Sequence, residues 1–245
     1  MNYIVFDLEF NQDFSSGGSQ RLHRNFFEII QIGAVKLDQN LNALDTFDRF
    51  VKPTLYAEVN PFITELTGIT TEQLESEKPF PESYKDFIDF ICGEDFVFCI
   101  WGMADLKELY RNIGYHKLDQ KLLSRRYINL QTYAAQHLNL SQKTLPKLKT
   151  TVESLGIPLV HSFHNAFHDA LYTAEVFRKI NKDSIHPIYY DPDHRTIRPR
   201  PVKQKVDFEK LIRQFEKMYA KDLTEEEQGM IKLAYKMGKT RQFLK

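Results

Sequence analysis

Tyr3-Ile4-Val5-Phe6-Asp7-Leu8-Glu9-Phe10, close to the start of the 245-residue chain, is the stretch on which the fold turns. Tyr3–Leu8 is a short apolar run broken only by Asp7, which suits a buried strand better than a helix. Side chains alternate across a strand, so Asp7 and Glu9 point to the same face, one repeat apart. Two carboxylates side by side at the end of an apolar strand repel one another and resist desolvation. A bound cation would reverse that cost. Taken alone, an Asp-x-Glu pair is equally what a strand emerging into solvent carries.

Outward from this strand the pattern is regular. Glu28–Leu37 and Thr46–Val51 read as two further strands, and the turn formers of Asp38–Asn42 join them as an antiparallel hairpin. After Pro61 the period becomes helical, with Tyr84, Phe87, Ile88 and Ile91 on one face. Phe96–Trp101 is a second fully apolar run of strand length, followed by Gly102 and a helix from about Asp105. A short strand at Tyr127–Leu130 and helices at Gln131–Leu138, Leu145–Leu155 and Ala166–Ile180 complete the pattern. Three strands followed by alternating helices and strands predict an α/β sandwich built on a mixed sheet.

Composition bounds the rest. An apolar share of 42%, with 19 Phe and 12 Tyr, is ample for a packed core and excludes global disorder. No stretch approaches ~18 consecutive apolar residues, so no membrane span is expected. The first residues lack the basic region of a signal peptide. Cys92 and Cys99 are the only cysteines and have no metal-type spacing, which reads as a cytoplasmic chain with reduced thiols.

Net charge is zero, with 33 Lys+Arg and 33 Asp+Glu, yet the charge is unevenly spread. Residues 186–245 carry 14 basic and 9 acidic side chains, a balance of +5, so residues 1–185 balance at −5. Pro187, Pro192, Pro199 and Pro201 mark an extended stretch at this division. The expected organisation is one domain over 1–185, a Pro-rich basic linker over 186–206 and a helical extension over 207–245.

Two further carboxylates stand where functional groups gather. Asp105 follows an apolar strand at the start of a helix, and the carboxyl ends of strands are where open α/β sheets place their sites. Taken on its own, Asp105 reads more readily as an N-cap. In His164-Asn165-Ala166-Phe167-His168-Asp169, His164 and Asp169 converge only if His164 lies in the loop before a helix and Asp169 inside it. His164 and His168 could instead form half of a zinc site, although no Glu follows the first His as in H-E-x-x-H. His168-Asp169 could also be the dipeptide of an all-helical HD-type phosphohydrolase, against which the strand-rich first half argues. A plain histidine-bearing helix start, with Asp169 near the positive end of the dipole, is the remaining reading. Together, four carboxylates without soft ligands describe a hard-cation site, and a histidine beside them supplies a base near neutrality. No P-loop, G-x-G-x-x-G or G-x-S-x-G is present.

The ordered set Phe6-Asp7-Leu8-Glu9-Phe10-Asn11, Glu28-Ile29-Ile30-Gln31-Ile32-Gly33-Ala34, Leu66-Thr67-Gly68-Ile69-Thr70, Trp101-Gly102-x-x-Asp105 and His164-x-x-x-x-Asp169 resembles the DEDDh, or DnaQ-like, family of 3′→5′ exonucleases. The opening element and Trp-Gly-x-x-Asp are most similar to its KapD-like branch, related to RNA-trimming enzymes. The resemblance covers roughly residues 1–182. It implies an RNase H-like three-layer α/β fold, with a mixed, mostly parallel sheet flanked by helices and the C-terminal helices added. It also implies that Asp7, Glu9, Asp105 and Asp169 hold two Mg²⁺ or Mn²⁺ ions, with His164 as general base.

Phe10, Leu66, Thr67 and Ile69 are then expected at the terminal nucleotide. The implied substrate is single-stranded RNA or DNA with a free 3′ end, RNA preferred. A DNA-trimming or proofreading exonuclease and a non-catalytic nucleic-acid-binding module are the alternatives. His168, where many relatives carry an acidic or other residue, should leave the metal shell unaltered. The loop Asn11–Asn25 is long and its sequence assigns it no role.

In the tail, Phe208, Leu211, Ile212, Phe215 and Tyr219 form an apolar stripe at helical spacing. Thr224-Glu225-Glu226-Glu227 is a capping-box signature for a second helix, expected to stop at Gly238. Arg195, Arg198, Arg200, Lys203 and Lys205 form a candidate phosphate-binding strip.

Overall fold

The computed structural model of the chain describes residues 1–12, 26–91, 95–140, 145–180, 185–192 and 206–239. Most of the loop 11–25, Cys92, and the basic positions from Arg195 to Lys205 lie outside the described residues. Contacts divide the chain into a unit over Met1–His194 and a second over Arg195–Lys245.

The first unit is built on a six-stranded mixed sheet. Its strands are β1 (Asn2–Asn11), β2 (Glu28–Leu37), β3 (Ala43–Phe50), β4 (Phe96–Ile100), β5 (Arg126–Asn129) and β6 (Ile188–Tyr189), in spatial order β3-β2-β1-β4-β5-β6. The centre is parallel, β1 with β4 and β4 with β5, while β3–β2–β1 and β5–β6 are antiparallel. The expected β2–β3 hairpin forms, and the Asp38 carboxylate accepts from the Asn40 and Asn42 amides, both at 2.8 Å, to close its turn.

Alternation along β1 sorts the core into two layers. Ile4, Phe6 and Leu8 pack with residues of α3 (Phe80–Ile91) and α4 (Ala104–Tyr115). On the other face, Val5 packs with residues of α5 (Leu130–His137), α6 (Leu148–Ser154) and α7 (Ala166–Lys179). Short helices α1 (Pro61–Thr67) and α2 (Thr71–Leu74) enclose a smaller cluster of Ile30, Val59, Ile63, Ile69 and Leu74. This is the layered α/β arrangement on a mixed sheet that the sequence predicts, and the fold that the family resemblance implies.

Several boundaries differ from expectation, among them the start of β3 at Ala43 rather than Thr46. β1 continues through both carboxylates to Asn11, past a bulge at Glu9/Phe10. Helix α6 begins at Leu148 rather than Leu145; Pro146 disfavours helical backbone at Leu145, and its carbonyl accepts from Gln131 Nε2 at 3.0 Å. The stretch expected to begin a linker adds an edge strand. Ile188 pairs with Tyr127, the Tyr190 amide donates to the Arg125 carbonyl at 2.8 Å, and the Tyr190 ring lies 5.0 Å from that of Tyr110. Pro187 and Pro192 are tolerated there because an edge strand leaves one side unpaired.

The second unit contains α8 (Phe208–Tyr219) and α9 (Glu225–Lys239). The capping box is present, with the Thr224 amide donating to Glu227 Oε2 at 2.9 Å and the Glu227 amide to Thr224 Oγ1 at 3.3 Å. Gly238 lies within α9 rather than after it. Leu211, Phe215, Met230, Ile231, Ala234 and Tyr235 line an apolar groove between the two helices.

Candidate active site

The first two carboxylates are placed by strand alternation and register. Asp7 lies opposite Gly33, and Glu9 opposite Gln31, on the face of the sheet that α7 covers. Gly33 lets the helix approach. A Cβ there would stand 2.1 Å from the Phe167 amide nitrogen and 2.2 Å from the Ala166 carbonyl carbon. Gln31 holds the same turn, its Oε1 accepting from the Ala166 amide at 3.1 Å while its Nε2 donates to Asp48 at 2.9 Å. The first turn of α7 therefore rests on the backbone beside Asp7 and brings Asp169, 9% exposed, to the carboxylate pair.

Asp105 arrives from the neighbouring parallel strand. After β4, Gly102 adopts φ +91°, and its amide donates to Asn129 Oδ1 at 3.1 Å. This left-handed turn, which favours glycine, starts α4 at the carboxyl edge of the sheet. Asp105 is 6% exposed in the first turn of α4, and the N-cap position belongs to Met103. A plain capping role is thereby removed. His164 lies in the loop before α7 with φ +62°, and its amide donates to Asp169 Oδ2 at 3.1 Å. Ring and carboxylate atoms of His164, Glu9 and Asp169 come within 4.8 Å of one another. The loop-then-helix condition for convergence of His164 and Asp169 is met.

The electrostatics follow from this crowding. Burial raises the Asp7 carboxyl well above the ordinary range, and the charges of Asp105, Asp169 and Glu9 raise it further. Glu9 is pushed up to about 8 by burial and then by Asp169 and Asp105. Asp105 rises to about 7 through burial, partly offset by hydrogen bonds from its own and the Leu8 amides, and Asp169 rises to about 6 through burial.

Among the described residues, no positive side chain offsets these shifts. Asp169 Oδ1 is buried without a hydrogen-bond partner. An orphaned carboxylate oxygen beside three more acidic groups is a donor set that fits a divalent, oxygen-preferring cation. Asp7, Glu9, Asp105 and Asp169 are the residues that would hold it.

The expected nucleotide contacts divide. Leu66 is 41% exposed on α1, one turn from Phe62 at 58%, giving two apolar side chains on one helix face. The Thr67 hydroxyl is turned back onto the Ile63 carbonyl at 2.8 Å and also receives the Ile69 amide at 3.1 Å. Ile69 is 3% exposed and belongs to the core beneath the α1–α2 turn, so it supports this region rather than offering a surface. Phe10 is partly buried, edge-on to Phe27 at 5.8 Å.

Gly33, Gln31 and Phe62 were not singled out from the sequence. A glycine inside a strand pattern was the available signal for close backbone approach at position 33. Asn11 was quoted without a role; it is fully buried and ties β1 to the loop before α1, donating to the Glu58 carbonyl and accepting from the Asn60 amide, both at 2.9 Å.

Fold and site together present an acidic cluster suited to a divalent cation at the carboxyl edge of the sheet. The chain belongs to the exonuclease family of RNase T, whose model matches residues 4–177. It is 31% identical over 185 residues to the PolC-type DNA polymerase III of Caldanaerobacter subterraneus subsp. tengcongensis, covering 73% of this chain and 11% of that protein. It is 24% identical over 166 residues to 3′-5′ exoribonuclease 1 of Mus musculus, covering 64% of this chain and 47% of that protein. The chain thus spans less than half the length of either relative. Among solved structures it is similar to the nuclease domain of 3′hExo, a DEDDh family member bound to rAMP. The TM-score is 0.63 and the identity 22%, over 74% of this chain and 96% of that one. An E. coli ExoI–ssDNA complex gives a TM-score of 0.57 at 16% identity, over 73% and 40%.

Proposed function

We propose that this protein removes mononucleotides from the free 3′ end of single-stranded nucleic acid, RNA in preference to DNA, by two-metal hydrolysis with His164 as general base. The observation that carries the reading is the convergence of Asp7, Glu9, Asp105 and Asp169 with His164 at the carboxyl edge of β1 and β4. Two Mg²⁺ or Mn²⁺ ions, when bound there, supply charge neutralisation for the phosphate oxygens and the leaving oxygen. The chain's own contribution is arrangement. The four carboxylates provide a rigid anionic cradle whose repulsion is relieved only by cations, so substrate phosphate enters with the metal. His164, in the loop beside Glu9 and Asp169, would accept a proton from the attacking water as its oxygen bonds to phosphorus and the P–O bond to the leaving 3′-oxygen breaks, that oxygen taking a proton from solvent.

Phe62 and Leu66 offer apolar surface against which an unstacked terminal base can rest. A paired end must first be opened, at a cost of about a few kcal/mol, which favours unpaired ends. Likeness to an exoribonuclease supports the RNA preference, whereas the PolC-type relative supports the alternative, DNA trimming.

His164→Ala should lower kcat by roughly 10²–10⁴-fold while Mn²⁺ binding, read by calorimetry, persists. Loss of metal binding in that variant would remove His164 from the base role and make it a ligand. RNA and DNA of one sequence, assayed side by side, decide between the two substrate readings.

A further inference from the structure

The loop before α7 places an exposed His164 at φ +62°, a left-handed conformation that costs a non-glycine residue about 1–2 kcal/mol. Such a conformation persists where neighbouring contacts over-determine it. One contact is the His164 amide's hydrogen bond to Asp169 Oδ2; the others, on the residues just before it, come from two α7 residues one turn apart, His168 and Tyr172. The Tyr172 side chain is 2% exposed, and its hydroxyl clamps both backbone groups of His161, accepting from the amide at 2.8 Å and donating to the carbonyl at 2.9 Å. Its ring stacks on Phe163 at 4.8 Å. His168 Nδ1 lies 3.2 Å from the Ser162 carbonyl oxygen, to which it donates when it carries the proton, and 3.5 Å from Ser162 Oγ. The His168 ring stacks on His161 at 4.6 Å. Residues 161, 162 and 163 are each tied to α7, and the next residue in the chain is His164.

We propose that His168 and Tyr172 are positioning residues for His164: they lock the loop 161–163 onto α7 and so fix where the His164 imidazole stands beside Glu9 and Asp169. The proposal rests on His164 being the general base. A base must lie within hydrogen-bond reach of its proton, and displacement by about 1 Å can cost on the order of 10²-fold in rate. Tyr172→Phe removes both hydroxyl hydrogen bonds and keeps the ring stack. His168→Ala removes the tie to Ser162, and His168→Asn restores a donor at nearly the position of Nδ1.

The test is steady-state kinetics on a single-stranded oligonucleotide with Mg²⁺, for each variant in the wild-type and in the His164→Ala background, with melting temperature recorded alongside. Tyr172→Phe and His168→Ala should each lower kcat by about 10-fold or more while KM stays within about two-fold. His168→Asn should recover most of the loss. In the His164→Ala background neither substitution should lower kcat further, because the group they position is gone. The same fold-loss in both backgrounds would assign them a general structural role and overturn the proposal. An inactive His164→Ala beside fully active Tyr172→Phe and His168→Ala would overturn this proposal alone. A fully active His164→Ala would overturn the base reading and the proposal with it.

Discussion

Asp7 is a part-buried carboxylate that faces three others, Asp105, Asp169 and Glu9. Asp7→Asn removes one charge at nearly constant volume, so it should abolish metal-dependent turnover while leaving the fold intact; full activity would contradict the assignment. The same repulsion sets a pH dependence. Glu9, Asp105 and Asp169 hold their protons up to about 8, 7 and 6 when folded. Unfolded carboxyls release theirs near pH ~4. Between these limits the folded, metal-free protein binds more protons than the unfolded chain, so its stability falls as pH rises. In chelator the melting temperature should be higher at pH 5.5 than at pH 8.5, and Asp7→Asn should raise the value at pH 8.5. Equal melting temperatures at both pH values would show that the carboxylates do not repel as the geometry implies.

Elements bring these residues together, and the decisive contact is β2 against α7. Gly33→Ala would press a methyl group into the Ala166–Phe167 backbone, which cannot rotate away. Displacing α7 should cost about 1–3 kcal/mol or more in denaturant unfolding and reduce turnover through Asp169 and His164. Unchanged stability would mean that the helix shifts freely. Much of this level was legible in the sequence. Alternation alone put Asp7 and Glu9 on one face, and the apolar run Phe96–Trp101 located the strand that delivers Asp105. Local pattern could not show that Ile69 turns into a core while Phe62, four residues before Leu66, faces outward. It could not show that Ile188 and Tyr189 extend the sheet either, because Tyr110 and Tyr127, distant in sequence, provide surface on which Tyr190 packs. The ties of His168 and Tyr172 to the loop before α7 were hidden for the same reason, since a single side chain's partner is not written in its spacing.

At the scale of the whole molecule, residues 1–185 balance at −5 and residues 186–245 at +5. Arg195, Arg198, Arg200, Lys203 and Lys205 include no acidic neighbour between them, and replacing all five by Gln should weaken binding of long strands. It should also flatten the dependence of log Kd on log salt, because each lost phosphate contact removes about one released counterion. An unchanged salt slope would dismiss the strip. The central claim is cation-dependent digestion from a free 3′ end at the Asp7 cluster. It is tested most directly with a 5′-labelled single-stranded RNA, carrying a free or a blocked 3′ end, incubated with the wild type or Asp7→Asn in Mg²⁺ or chelator. A ladder shortening stepwise from the free 3′ end, seen only with wild type and Mg²⁺, is the predicted result. Cleavage of the blocked strand at internal positions, or digestion that survives chelator or Asp7→Asn, would contradict it.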